Sequence, residues 1–375
     1  MKILHTSDLH LGKNLSEESF YEDQKYILDE IVKIVKEKEI KVVMIPGDIY
    51  DKSIPSSEAS MLFDKFLTNL SKLSVKVLIT SGNHDSNVRL SFGSRIFNEF
   101  NIHIVTSYEG KIEKVSIDDV NFYLLPFMKP FHLKQYMSEF EYDKINNSND
   151  MMKWILNNEC IDRNKKNILL AHQFIMWDGK LPEQSDSESI SLNNVGTLDA
   201  IDVNLLDDFD YVALGHIHRP QKIKRNTVRY SGTPLKYSFS EVNDKKSVVI
   251  VDTDDIENIE LLELTPLRNM QILRGTFEEV MNMKPSDEII KVELEDENTI
   301  ISPMEEIKKR FKNAIALVFV NKRESVNSSG LKEIKEDASP YELFNLFFTE
   351  QNGRSMTSEE DNYIKSIMES LKEEE

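Results

Sequence analysis

The first 85 residues alternate strand-like and helix-like segments, and this alternation restricts the fold more than any other feature of the sequence. Short apolar runs at Met1–Thr6, Val42–Pro46 and Val75–Thr80 are separated by two segments with apolar residues at helical spacing, Phe20–Lys38 and Glu58–Lys72. Strands that alternate with helices at this spacing predict an α/β layer fold. Further short strands are predicted downstream, at Phe122–Leu125, Ile168–Ala171, Tyr211–Leu214, Val228–Ser231, Ser247–Val251 and Ile259–Leu264.

A set of polar residues follows these strands, each within a few positions of an apolar run. It includes five of the chain's eight histidines and consists of Asp8, His10, Asp48, Asn83, His84, His172, His216 and His218. Each residue alone is explained by an ordinary turn or by a hydrogen-bonded core histidine. Because ligands of α/β folds gather beyond the carboxyl ends of strands, the shared position of the whole set favours one common site.

The ligand types in this set predict a site for two metal ions. Imidazole and oxygen ligands without thiolate suit manganese, iron, zinc or similar ions. The set exceeds the about four ligands of a tetrahedral site, so it predicts two ions about 3.5–4 Å apart with Asp48 as the bridging carboxylate. Such a pair activates water for attack at phosphorus. His84 is then the predicted proton donor to the leaving oxygen, and Asp85 is predicted to orient it or to raise its pKa.

The composition limits both the substrate and the compartment. A formal net charge of −19, from 65 acidic and 46 basic residues, argues against a general nucleic-acid binder, because phosphate affinity comes mainly from lysine and arginine. A DNA substrate would need local basic residues, bound metal or a partner. We expect no signal peptide, and no run approaches the roughly 20 apolar residues of a membrane span. The single cysteine, Cys160, excludes an internal disulfide and predicts a cytoplasmic protein.

Pro266 marks a predicted domain boundary. Beyond it, alternating strands and helices predict a small α+β domain, at Met270–Thr276, Phe277–Met283, Glu288–Leu294, Met304–Phe311 and Ala314–Val320. Ser302 is predicted to begin a capping box, with proline at the first helical position. The predicted organisation is a main domain at 1–265, a small domain at 266–323, a linker at 324–338 and terminal helices at 339–375.

The two predicted terminal helices each have an apolar face. The face of the first consists of Leu343, Phe344, Phe347 and Phe348, and that of the second of Ile364, Ile367, Met368 and Leu371. Ser339 and Thr357 are the predicted capping residues of these helices. The pattern leaves two alternatives open, since the helices could pack on the body of the protein or dock onto a partner.

Several segments together carry a resemblance to a known family. The motif series resembles that of calcineurin-like metallophosphoesterases, in the order SDLH, GDIYD, SGNHD, AHQF and LGHIH. Narrower stretches are similar to SbcD-type nuclease subunits over most of the first 265 residues, namely HTSDLHLGKN, DYVALGHIHRPQ and YSGTPLKYSFSE. The stretch TPLRNMQILRGTFEEV resembles the start of that family's capping domain. The stretch Ser187–Thr197 is less glycine-rich than the family pattern, which we expect to affect the loop and leave the ligands untouched.

This resemblance implies a two-sheet α/β sandwich, a small α+β capping domain and C-terminal helices. It implies two Mn²⁺ ions, with Mg²⁺, Fe or Zn as substitutes, and His84 as the catalytic histidine. The implied ligands of one ion are Asp8, His10, Asp48 and His218. The implied ligands of the other are Asp48, Asn83, His172 and His216.

The resemblance also implies the activity and the partners. The activity would be ATP-stimulated 3′–5′ double-strand exonuclease and single-strand or hairpin endonuclease cleavage, in DNA repair, replication and recombination. The chain would be a homodimer in a heterotetramer with an SbcC-type ATPase, and its terminal helices would dock that ATPase.

The predicted DNA contacts are four residues that follow the turns carrying predicted metal ligands, Lys13, Asn14, Arg89 and Arg95. The alternative for each is an ordinary solvated surface residue. Two other functions also stay open. One is a metallophosphoesterase acting on nucleotides, cyclic nucleotides or phosphoproteins, and the segments after Pro266 argue against it. The other is a non-enzymatic adaptor, which the complete ligand set argues against.

Overall fold

The computed structural model describes residues 1–16, 18–188, 199–296, 300–320, 340–352 and 354–373. The chain divides into two compact units, residues 1–320 and 321–375. The predicted linker at 324–338 and the predicted capping residue Ser339 lie outside the described residues.

The described part of the larger unit contains two six-stranded sheets. The strand order in the first sheet is β16 (Asp255–Glu263), β15 (Ser247–Asp252), β1 (Lys2–His5), β4 (Val42–Pro46), β5 (Lys76–Thr80) and β6 (Ile102–Val105). β1, β4, β5 and β6 are parallel, whereas β15 and β16 are antiparallel to their neighbours. The carboxyl ends of the parallel strands therefore meet at one edge.

The second sheet repeats this arrangement. Its order is β13 (Gln221–Ile223), β14 (Arg225–Tyr230), β12 (Tyr211–Gly215), β9 (Lys166–His172), β8 (Val120–Leu125) and β7 (Glu113–Ile117). The four central strands are parallel, and β13 and β7 are antiparallel edge strands. Two short pairs complete the strands of this region, β2 (Asn14–Leu15) with β3 (Glu18–Ser19) and β10 (Ile175–Met176) with β11 (Ile201–Asp202).

Helices connect these strands. They are α1 (Tyr21–Glu37), α2 (Ser57–Ser71), α3 (Asn87–Leu90), α4 (Ser94–Asn98), α5 (Glu139–Tyr142) and α6 (Ser148–Asn157). Short 3₁₀ turns lie at Pro130–Gln135, Val203–Leu206 and Phe239–Glu241. Ser56 caps α2 by accepting the N–H of Ala59, which satisfies one of the free donors of the first turn.

The two sheets pack face to face between outer layers of helices. Successive side chains of a strand point to opposite faces, so β4 divides its residues between two apolar clusters. Val42 and Met44 pack with Phe122 of the second sheet, whereas Val43 and Ile45 join the cluster formed with α1 and α2. This arrangement confirms the predicted α/β fold with a two-sheet sandwich.

The described residues between 266 and 320 form a third, three-stranded parallel sheet with two helices. The elements are β17 (Met270–Gly275), α7 (Phe277–Asn282), β18 (Ile289–Leu294), α8 (Pro303–Arg310) and β19 (Ala314–Phe319). Arg268 joins this sheet to the rest of the unit, because its guanidinium donates to Glu18 and Asp23, both at 2.5 Å. Whether residues 266–323 are a separate domain stays a prediction.

The capping box predicted at Ser302 is wrong. Ser302 adopts a left-handed conformation, with φ 46° and ψ 49°, and its side chain makes no capping hydrogen bond. The prediction of Pro303 at the start of the helix is confirmed. A full capping box is instead present at α7, between Thr276 and Glu279.

The described part of the smaller unit contains two helices, α9 (Pro340–Asn352) and α10 (Ser358–Glu373). The capping box predicted at Thr357 is confirmed, since Thr357 N–H donates to Glu360 at 2.8 Å and Thr357 Oγ1 accepts from the Glu360 N–H. On α9, Leu343 and Phe347 are 42% and 58% exposed. Four other residues of the two predicted faces are half-buried, Phe344 and Phe348 on α9 and Ile364 and Met368 on α10.

The remaining residues of the two predicted faces are on α10. Ile367 is 37% exposed, and the side chain of Leu371 lies outside what is described. In the described part of the chain, no helix combines the length and the apolar character that a membrane crossing requires.

Candidate metal centre

The metal-type residues lie where the parallel strands of both sheets end. The chain places Asp8 and His10 after β1, Asp48 after β4, Asn83 and His84 after β5, His172 at the end of β9, and His216 and His218 after β12. Hydrogen bonds join the two edges. The His216 backbone N–H donates to Asp8 Oδ1 at 2.9 Å, and His172 Nδ1 lies 2.9 Å from the carbonyl oxygen of Pro46.

Asp48 lies at the centre of the group. Its Oδ2 is 3.4 Å from His172 Nε2, 3.6 Å from His10 Nε2 and 4.0 Å from His84 Nε2. Its Oδ1 accepts the His84 backbone N–H at 2.9 Å, so the carboxylate is held with the other oxygen facing the ring nitrogens. This is the position that a carboxylate shared by two ions requires.

One cluster of ligand-type atoms consists of Asp8, His10 and His218. The Nε2 atoms of His10 and His218 face each other at 3.0 Å. Two nitrogens that bind one ion at about 2.0–2.1 Å in a tetrahedral site would lie about 3.3–3.4 Å apart, within a few tenths of an ångström of this distance. The observed spacing therefore fits a shared cation.

A second cluster lies on the other side of Asp48. Asn83 Oδ1 is 2.9 Å from His216 Nδ1 and 3.0 Å from His172 Nε2. Asp8 and Asp48 contribute carboxylate oxygens near the same His172 ring. A carboxylate and an amide oxygen thus converge with two imidazoles, which is a donor set for a divalent ion of intermediate softness.

Burial keeps most of these imidazoles neutral. It lowers the pKa of His10 to about 4 and that of His216 to about 3, and it also depresses the pKa of His218. Burial alone would lower the pKa of His172 as well, but the carboxylate of Asp48 raises it to about 9. Metal binding needs neutral imidazole, so a cation at this position would displace a proton from His172.

The backbone at the ligands is unusual. Asp8, His10 and Asp48 have φ values of 53°, 43° and 51°, and His216 has 102°, in the region that L residues rarely adopt. Close approach also requires a glycine beside Asp48, because a Cβ at Gly82 would lie 2.1 Å from Asp48 Oδ1. The loops are therefore shaped around the ligand atoms.

Comparison with protein families agrees with this geometry. Residues 1–220 match the model described as calcineurin-like phosphoesterase. The chain belongs to the calcineurin-like phosphoesterase family. Residues 266–352 match a second model, SbcD_C, which is described as the type 5 capsule protein repressor C-terminal domain. A calcineurin-like phosphoesterase is a metal-dependent hydrolase, and the two matches in this order support an SbcD-type nuclease subunit.

Two solved structures are also similar to this calcineurin-like phosphoesterase. A dimetal phosphatase from Danio rerio has 14% identity and a TM-score of 0.42, over 70% of this chain and 96% of the other. Yfce, a phosphoesterase from E. coli, has 12% identity and a TM-score of 0.29, over 71% and 100%. At these identities, the roles of individual residues are taken from the geometry of this chain alone.

His84 lies at the mouth of this phosphoesterase site. Its Nδ1 is 2.9 Å from the carbonyl oxygen of Asp51, which fixes the ring and leaves Nε2 facing the centre. Its atoms also form a ligand-type cluster with His10 and Asp48. His84 therefore presents a ring nitrogen to the same space as the ligand-type atoms.

The predicted role of Asp85 needs correction. Its buried carboxylate accepts backbone N–H groups from Ile49 at 3.2 Å, Tyr50 at 3.0 Å and Gly82 at 2.9 Å. Asp85 therefore ties the β4 and β5 loops together, and the group that orients His84 is a backbone carbonyl.

The four predicted DNA contacts are spread around the site. Lys13 is half-buried and pairs with Asp51 at 2.8 Å, so its charge is partly neutralised. Asn14 is exposed on β2, and Arg89 and Arg95 are exposed on α3 and α4. Arg89 and Arg95 line two different surface depressions.

The sequence reasoning missed the residues behind His218. Ser187 Oγ lies 2.6 Å from His218 Nδ1, so the expectation that this stretch leaves the ligands untouched is wrong. Residues 189–198 of the same stretch lie outside the described residues. Glu241 accepts from the Ser187 hydroxyl, and Lys246 donates to the carbonyl oxygen of His218. Of these two residues, only Glu241 lies in a stretch that carries the family resemblance, YSGTPLKYSFSE.

Proposed function

We propose that the protein is the DNA nuclease subunit of an SbcCD-type complex and hydrolyses phosphodiesters with two Mn²⁺ ions. The observation that carries the proposal is the order of the two family matches, a calcineurin-like phosphoesterase at 1–220 followed by SbcD_C at 266–352. A phosphoesterase acting on nucleotides or phosphoproteins has no evident need for this second domain and the helices that follow it.

The ligand atoms support two ions held by a shared carboxylate. Asp8, His10, Asp48 and His218 would hold one ion, and Asp48, Asn83, His172 and His216 the other. When bound, the pair lowers the pKa of water and neutralises charge on the phosphoryl oxygens. Mixed nitrogen and oxygen ligands without thiolate suit Mn²⁺.

The chain's own side chains would donate the proton and position the loops of the site. His84 would donate a proton from Nε2 to the leaving 3′ or 5′ oxygen, with its ring held by the Asp51 carbonyl. Asp85 would keep the loops that carry Asp48 and His84 in register. No covalent enzyme intermediate is needed, since water is the nucleophile.

The acidic surface bears on how DNA is held. With a net charge of −19, the chain would rely on a few basic residues and on its partner for phosphate contacts. Lys13, Asn14, Arg89 and Arg95 are the proposed contacts, with exposed Arg95 as the strongest candidate. A complex acting on DNA with ATP implies a cytoplasmic protein.

An exposed apolar surface supports a homodimer. Val88 and Phe92 are 83% and 84% exposed, Ile96 65% and Met61 of α2 70%. Val88 and Phe92 line one groove together with residues of α2, and exposed apolar patches mark interaction sites. We assign this surface to a second copy of the chain.

A Phe92→Glu variant should then have the mass of a monomer in analytical ultracentrifugation, whereas the unchanged chain should have twice that mass.

The test of the nuclease function is a cleavage assay on a labelled DNA hairpin. The full chain, stripped with EDTA and reloaded with Mn²⁺, would be assayed with and without an SbcC-type ATPase and ATP. We expect cleavage that requires Mn²⁺ and increases with the ATPase and ATP. Hydrolysis of a small phosphodiester without any cleavage of DNA would contradict the proposal and favour a nucleotide or phosphoprotein substrate.

If the terminal helices dock the partner, their loss should affect stimulation by the ATPase and leave basal hydrolysis unchanged. Deletion of residues 339–375 should leave Mn²⁺-dependent hydrolysis of a small phosphodiester unchanged, because every proposed ligand lies before residue 220. The deletion should abolish stimulation by the ATPase. Full-length Phe347→Glu, which alters an exposed apolar residue of α9, should reproduce the loss. Co-purification of the deleted chain with the ATPase would show that docking occurs elsewhere.

A further inference from the structure

His218 is contacted on both sides of its ring. Nε2 lies 3.0 Å from His10 Nε2, and Nδ1 lies 2.6 Å from Ser187 Oγ. The backbone N–H of His218 donates to Glu188 Oε1 at 2.8 Å. One ring nitrogen therefore faces the metal centre, and the other faces the hydroxyl of Ser187.

The hydroxyl proton of Ser187 decides which ring nitrogen of His218 carries a proton. Ser187 Oγ donates to Glu241 Oε1 at 2.5 Å, because a carboxylate only accepts. Having used its proton there, Oγ can only accept from Nδ1 of His218. Nδ1 is then the protonated nitrogen, and the lone pair on Nε2 points towards His10.

Glu241 forms an ion pair with a buried lysine. Lys246 Nζ lies 2.6 Å from Glu241 Oε2, and the two side chains are 4% and 0% exposed. Lys246 Nζ also donates to the carbonyl oxygen of His218 at 2.8 Å. The contacts close into a ring that runs from His218 through Ser187, Glu241 and Lys246 back to His218.

We propose that Ser187 is a positioning residue which, through Glu241 and Lys246, fixes the tautomer and orientation of His218 for one of the two metal positions. The inference rests on the proposed dinuclear centre. Groups that orient a metal-binding histidine commonly change metal affinity about 10–100-fold when removed.

The two positions should respond differently to a change at Ser187. The other position is oriented in part by the carbonyl of Pro46, which lies 2.9 Å from His172 Nδ1 and which no side-chain substitution removes. Loss of the Ser187 hydroxyl should therefore weaken the ion at His10 and His218 alone.

The experiment is a titration of the metal-free full chain with Mn²⁺ by calorimetry, in the absence of DNA. We expect Ser187→Ala to bind one Mn²⁺ with unchanged affinity and the second about 10–100-fold more weakly. Ser187→Thr, which retains a hydroxyl, should restore the second affinity. Gln221→Ala is the control, because Gln221 anchors the same segment at Glu183, whose backbone N–H it accepts at 2.9 Å and whose carbonyl oxygen it donates to at 2.7 Å, away from Ser187 and Glu241.

A second readout is the tautomer itself. ¹⁵N spectra of the metal-free chain should show His218 protonated on Nδ1, and this assignment should be lost in Ser187→Ala. Two unchanged affinities in Ser187→Ala, or equal weakening by Gln221→Ala, would overturn the inference. A chain that binds two Mn²⁺ but cleaves no DNA would contradict the nuclease proposal alone. The titration of Ser187→Ala would still test the role proposed for Ser187.

Discussion

Replacement of Asp48 by asparagine should lower the rate of phosphodiester hydrolysis by at least about 10³-fold, or about 4 kcal/mol of transition-state stabilisation. Asparagine preserves the shape of the side chain but removes its charge. Asp48 Oδ2 faces nitrogens of His10, His84 and His172 within 4.0 Å. Without this shared carboxylate, we expect the variant to retain at most one of the two ions after gel filtration, as measured by mass spectrometry of the metal content.

The control for this variant is Asp29→Asn, which makes the same chemical change on an exposed part of α1, where Asp29 pairs with Lys65. It should keep two ions and full activity. If Asp48→Asn bound two ions and cleaved DNA at the normal rate, Asp48 would not be the bridge.

Replacement of His84 by alanine should reduce DNA cleavage about 10²–10⁴-fold while two ions remain bound. The reason is that His84 would supply the proton to the leaving oxygen. A substrate whose leaving group is already a weak base, such as bis(p-nitrophenyl) phosphate, needs that proton less. The loss of rate on this substrate should therefore be much smaller than the loss on DNA.

His103→Ala is a suitable control, because His103 is a half-buried histidine on β6 outside the proposed ligand set. It should leave both substrates unaffected. His84 also belongs to a ligand-type cluster with His10 and Asp48. If His84→Ala lost one ion, His84 would be a ligand, and the proton would have to come from another group.

The sequence predicts the sandwich well because its central strands are short, apolar and followed by polar turns. Val42–Pro46 is predicted with the observed bounds, and α1 and α2 are each found within one residue of the predicted bounds. The edge strand β7 was missed, because an edge strand has few buried positions and Glu113, Lys114 and Ser116 disguise its alternation. Helix α6 was missed as well, since three polar residues begin it.

The convergence of the ligand-type residues was predictable for the same reason. Parallel strands end at one edge, so their terminal polar residues meet regardless of separation in the chain. The orienting groups were not predictable in this way. The Asp51 carbonyl has the orienting role that adjacency in sequence suggested for Asp85, and a backbone carbonyl leaves no mark in a sequence. Ser187 and Glu241 are 54 residues apart and meet only through the fold.

The left-handed backbone at Asp8, His10 and Asp48 positions residues needed for activity but lowers thermal stability. For an L residue this conformation costs about 1–2 kcal/mol, and whole domains are stable by only about 5–15 kcal/mol. Glycine would relieve the cost at each position but would remove a ligand. Selection in the laboratory for heat resistance alone, with no demand for catalysis, should therefore favour glycine at these positions, and the most heat-resistant descendants should be inactive. Stabilisation of the working enzyme has to come from residues remote from these turns.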